Sequence, residues 1–143
     1  MKVDGPTGDM TIHPTHTCFD DALDYLQQRI KQNGHRIEGL RLVLIHAICI
    51  VPEGPDAGER FSHAWVEEDL DNHEAAVWQQ GFYNGQRIIY ASTRASVYET
   101  LRVVRTWGYS PEAAWEENNR TATYGPWVPE LQALCRRKKE AST

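Results

Sequence analysis

Along the chain the apolar positions change period twice, from helical to alternating and back to helical. Cys18, Ala22, Leu23, Leu26 and Ile30 recur at helical spacing. Thr17 is placed to cap that helix, with Asp20 positioned for a capping-box contact, and Asn33-Gly34 supplies a stop. The run 39–51, GLRLVLIHAICIV, is rich in branched apolar residues and predicts a buried central strand. A polar loop follows, and then 61–68 alternates, with Phe61, His63 and Trp65 on one side and Ala64 and Val66 on the other. AAVWQQGFY and QRIIYAS read as two strands joined by Asn84-Gly85, a strong hairpin signal.

Beyond the hairpin the helical period returns. Val97, Leu101 and Val104 mark one helix, and Ser110-Pro111-Glu112 opens a second with a cap and a proline at its first position. Tyr124-Gly125-Pro126-Trp127 predicts a turn that docks the carboxyl segment, and a last helix starts near Pro129. The order predicts an α+β fold: an N-terminal helix packed on a small, mainly antiparallel sheet of three to four strands, followed by C-terminal helices, with the helices on one side. No repeat or linker divides the chain, so residues 1–143 are expected to form a single domain, with 1–11 a loose lead-in and 137–143 a loose tail.

Composition narrows the function classes. Apolar residues make up 41% of the 143 and charged residues 24%, and five Trp with six Tyr favour a packed core over disorder. A net charge of −5 argues against a general nucleic-acid surface, since the one dense basic run, Arg136 to Lys139, suits a helix end. No stretch has membrane-spanning length and the start lacks the apolar run of a signal peptide, so a cytoplasmic protein without membrane contact is expected. Neither a phosphate-loop nor a dinucleotide fingerprint is present, so no cofactor is expected. Three cysteines without a CxxC pair indicate neither a disulfide framework nor a zinc ribbon.

Candidate chemistry centres on Cys18 and His63. A helix start lowers a thiol pKa, and a histidine on a strand packed against that helix could serve as its base. Each residue also has an ordinary packing role open to it: Cys18 lies on the apolar face of its helix, and His63 lies between Phe61 and Trp65. His13, His16 and Cys18, with His63 or His73, could alternatively supply zinc ligands, although no familiar finger spacing is met. His16 could instead assist the thiolate. His46, Cys49 and Cys135 read as core, and the five Trp read as chiefly core, with one or two available to line a cleft.

The runs Thr17 to Leu23, Ser62-His63-Ala64-Trp65-Val66-Glu67 and Arg87-Ile88-Ile89-Tyr90 together resemble small papain-like thiol proteins, the broad group with NlpC/P60 peptidases and transglutaminase-like domains. The ending through Tyr124-Gly125-Pro126-Trp127 is similar to that of uncharacterised bacterial and phage members with a His-Ala-Trp motif. The resemblance covers about residues 16 to 128. It implies a cysteine hydrolase or acyl-transfer protein acting on an amide, peptide or thioester bond of a peptide, protein or small-molecule substrate. Cys18 would be the nucleophile, His63 the base, and Ser92 the group that orients the imidazole. Ser92 stands where a carboxylate or amide is usual, Ile12 replaces the oxyanion glutamine, and Asp20 and Asp21 oppose the helix dipole. These departures point to degenerate activity, and to a non-catalytic binding or regulatory module as the alternative.

Overall fold

In the computed structural model, which describes residues 10–11, 18–70 and 74–141, the chain forms six strands and four helices among those residues. These are β1 (Met10–Thr11), α1 (Cys18–Gln32), β2 (Leu42–Ile50), β3 (Arg60–Asp69), β4 (Ala75–Tyr83), β5 (Gln86–Thr93), α2 (Arg94–Thr100), β6 (Arg105–Tyr109), α3 (Pro111–Thr121) and α4 (Pro129–Ala141). The strands form one antiparallel sheet in the order β1-β4-β3-β2-β6, with β5 on the other side of β4. This is the expected α+β architecture, with a larger sheet than expected.

The strand readings from 39 to 93 hold, and the hairpin turn shows why. Asn84 and Gly85 take φ of 50° and 80°, both left-handed, as a two-residue turn matched to strand twist requires. β3 pairs with all of β2, but its ladder to β4 covers only Val66↔Trp78 through Asp69↔Ala75. The first half of β3 therefore parts from β4, whose far end pairs with β1 instead, Met10 opposite Tyr83. Residues 10–11, expected in a loose lead-in, are thus sheet, and the tail expected from 137 is helical as far as Ala141. Thr17, the expected cap, lies outside the described residues.

One expected helix is in part a strand. The pattern Val97, Leu101, Val104 suggests a continuous helix, but α2 stops at Thr100, Arg102 turns left-handed at φ 47°, and 105–109 becomes β6. Thr106, Trp107 and Tyr109 favour extended structure, and β2 offers a row of hydrogen-bonding groups that only a strand can satisfy. Val104 is left 48% exposed.

Strand alternation sorts the core into two faces. On the first, Cys18, Phe19, Ala22, Leu23 and Leu26 of α1 pack on Leu42, Leu44, Ala64 and Val66, and Leu131 and Leu134 of α4 cover Ile48. On the second, Val97 and Leu101 cover Ile45, Ala47, Cys49, Phe61, Trp65 and Val77. The expectation that every helix lies on one side therefore fails for α2. Thr93 caps α2 straight from the end of β5, its hydroxyl accepting from the Ser96 N–H. Glu67 then ties that face together, accepting from Trp65 Nε1 at 3.2 Å and Tyr98 Oη at 2.8 Å, with Arg94 at 3.6 Å.

α1 is fixed in angle by a clamp. Arg29 donates two hydrogen bonds to Glu68, at 3.1 and 2.7 Å, and Trp78 Nε1 donates a third at 3.0 Å. The guanidinium lies over Tyr25 and Trp78, which stack on one another. Arg29 holds the Glu68 carboxyl below the usual carboxylate range.

Candidate functional site

Cys18 is the first residue of α1, and its sulfur is buried against β3, hydrogen-bonded by the backbone of Ala64 and of Phe19. A thiol at a helix start would ordinarily ionise more easily. Here burial dominates and pushes it up to about 12, with the Ala64 bond opposing and the Cys135 thiol and Asp21 carboxyl adding to the rise. Such a group is neutral at pH 7 and a poor nucleophile.

His63 lies on the other face. Its ring sits 6.2 Å from Phe61 and 5.7 Å from Trp65, the side chains that share its face of β3, while Ala64 faces α1. Nε2 is 2.9 Å from Gln79 Oε1, and Gln79 Nε2 donates to Tyr90 Oη at 3.3 Å. An amide oxygen only accepts, so that bond assigns the ring proton to Nε2. Nδ1 then carries a free lone pair and has no hydrogen-bond partner among the described residues. Burial pushes the imidazole down to about 4, against the opposing effect of Gln79.

The structure therefore does not bring Cys18 and His63 together: a strand's alternation sends them to opposite faces of the sheet. Ser92 shares the His63 face, opposite Val77 on β5, but the ring is held by Gln79. Gln79 was missed from sequence because amides on a strand read as solvent-facing. Its parity with the buried Val77 was the available signal.

The histidine that does face α1 is His46, directly opposite Ala64. It is fully buried in an aromatic box, with Phe19 at 4.7 Å, Trp127 at 4.9 Å and Tyr109 at 5.1 Å. Gly125 closes the box so tightly that a Cβ there would stand 2.7 Å from His46 Cε1. Neither ring nitrogen has a hydrogen-bond partner among the described residues, and burial pushes the imidazole down to about 3. His46 and Cys49 are core, as their place in an apolar run suggests.

No group of three or more His, Cys, Asp or Glu is placed to hold a metal among the described residues. His13, His16, His73 and Ile12 lie outside those residues. No described helix is long and apolar enough to cross a membrane.

One concave surface was not legible beforehand. Ile30, Lys31, His35 and Ile37, toward and beyond the end of α1, line with Pro111 and Trp115 of α3 a groove of about 410 Å³. Pro111 and Ala114 point into the core, and the next position turns outward, leaving Trp115 53% exposed. The expectation that the tryptophans are chiefly core, with one or two lining a cleft, fits Trp65 and Trp127 in the core and Trp115 in the groove. Comparison with known proteins adds no assignment: no family model matches the chain, and no curated protein and no solved structure matches it.

Proposed function

We propose that this chain is a non-catalytic binding module built on a degenerate papain-like layout. The observation that carries the reading is the separation of Cys18 and His63 by the sheet. Thiol catalysis needs sulfur and imidazole in contact, with the pair poised to exchange a proton near neutral pH. Here the thiol is raised to about 12 and the imidazole lowered to about 4, so each is neutral near pH 7. Support for the papain-like ancestry lies in the order of elements, with a cysteine at the start of a first helix that packs on an antiparallel sheet.

The groove beside Trp115 is the surface the reading assigns to the partner. An exposed indole sharing a groove with two isoleucines suits one large apolar side chain of a peptide segment, and Lys31 in the same lining favours an acidic residue beside that anchor.

The test is the alkylation rate of Cys18 by iodoacetamide from pH 6 to 9, read by peptide mass, in the wild type and in His63→Gln. Cys18 is expected to stay unalkylated, because reagent in solution does not reach its buried sulfur, and indifferent to the substitution. Fast alkylation with a midpoint near neutral pH that moves when His63 is replaced overturns the proposal. Selection of acidic peptides from a displayed library, countered with Trp115→Ala, tests the groove: enriched peptides are expected to lose binding to that variant.

A further inference from the structure

Two of the three cysteines pack on the α1 side of the sheet, and neither lines the groove assigned to the partner. Cys135, on α4, packs partly buried against the same apolar cluster that holds Cys18. Its sulfur stands 3.1 Å from the Ser62 hydroxyl, whereas the Cys18 sulfur rests on the backbone of Ala64. Ser62 and Ala64 point to the same face of β3, two residues apart, a spacing of about 6.6 Å along a strand. The two sulfurs thus hang over neighbouring positions of one strand and sense each other electrostatically. Cys49 is buried on the opposite face and has no route to either.

We propose that Cys18 and Cys135 form a reversible disulfide that ties α4 to the start of α1, with a small-molecule disulfide of the glutathione type as the oxidant. Cys135 is the entry point, because it is the more exposed thiol and the Ser62 hydroxyl can donate to its thiolate. The Cys135 sulfur, its proton lost to solvent, attacks one sulfur of the small disulfide, whose S–S bond breaks to release one small thiolate. Cys18 then attacks the Cys135 sulfur of the mixed disulfide and passes its proton to the second small thiolate as that group is expelled. Two protein thiols are oxidised and one small disulfide is reduced to two thiols. The buried, high-pKa Cys18 makes the second step the slow one. The bridge closes almost the entire chain into a loop, a large restriction of the unfolded state.

The test treats the full-length protein with oxidised glutathione, traps remaining thiols with N-ethylmaleimide in denaturant, and maps peptides by mass. The expected product has Cys49 as its one alkylated cysteine and a cross-linked peptide pair holding Cys18 and Cys135, reversed by excess reduced glutathione. Cys18→Ala is expected to stop at glutathione attached to Cys135, and Cys49→Ser to leave the cross-link unchanged. The oxidised form is expected to melt several degrees above the reduced one. A wild type that halts at the mixed disulfide, that bridges through Cys49, or that keeps all three thiols free after prolonged exposure overturns the proposal.

Discussion

Two imidazoles sealed in the core should make this fold acid-sensitive well above the range where carboxylates titrate. His46 and His63 are fully buried, and burial pushes them down to about 3 and about 4. In the unfolded chain each returns to an ordinary value near 6.5. Between those limits the unfolded state binds more protons, so stability rises with pH, is complete above neutrality, and is lost as pH falls through 6.5 toward the folded values. At pH 5 each ring opposes folding over about 1.5 pKa units, or about 2 kcal/mol, and the pair costs about 4 kcal/mol. That is a large share of a stability of typically 5–15 kcal/mol. The assay is urea unfolding followed by tryptophan emission at pH 7.5 and at pH 5.0, in the wild type and in His46→Phe/His63→Gln. Phenylalanine suits the aromatic box of Phe19, Tyr109 and Trp127, and glutamine keeps a donor for Gln79. The double variant is expected to lose about 4 kcal/mol less than the wild type between the two pH values. Equal losses in both proteins would refute the reasoning, because the rings would then titrate alike folded and unfolded.

Two further substitutions probe what holds the site in place. Glu68→Gln breaks the clamp on α1 and is expected to cost about 1–2 kcal/mol, the low end for a charge-assisted pair because both side chains are partly solvated. Since Arg29 lowers the Glu68 pKa, its contribution is present above the unfolded carboxylate value and fades as pH falls through the folded one. The gap between the variant and the wild type should therefore narrow as pH falls through the carboxylate range, and a gap that does not change with pH contradicts the charge argument. Gly125→Ala places a methyl 2.7 Å from His46 Cε1 at a residue with φ of 112°. A loss of about 2 kcal/mol or more is expected, seen as a lower Tm and weakened near-UV dichroism from Trp127. An unchanged Tm would mean that Gly125 does not press on the ring.

Local rules read well wherever a short stretch carries its own reason. Asn84-Gly85 specified its hairpin because both residues tolerate left-handed backbone. Ser110-Pro111 specified the start of α3 because a hydroxyl and a fixed φ suit a helix opening, and the Ser110 hydroxyl accepts from the Ala113 N–H at 3.1 Å. Alternation in 61–68 also placed Ala64 and His63 on opposite sides. It did not say which side α1 would cover, so whether Cys18 would meet His63 stayed open.

The sequence by itself determined most elements, their strand parity, the α+β class and the burial of His46 and Cys49, all of which follow from spacing between neighbours along the chain. The tertiary structure alone decided which sheet face each helix covers, that 105–109 would serve β2 as a strand, and that Gln79 would hold His63. It also decided that Trp115 would stay outside and that Cys135 would arrive beside Cys18. Each of these depends on a partner distant in sequence whose free edge, buried polar group or apolar surface outweighs the local preference. Period and propensity record only the local preference.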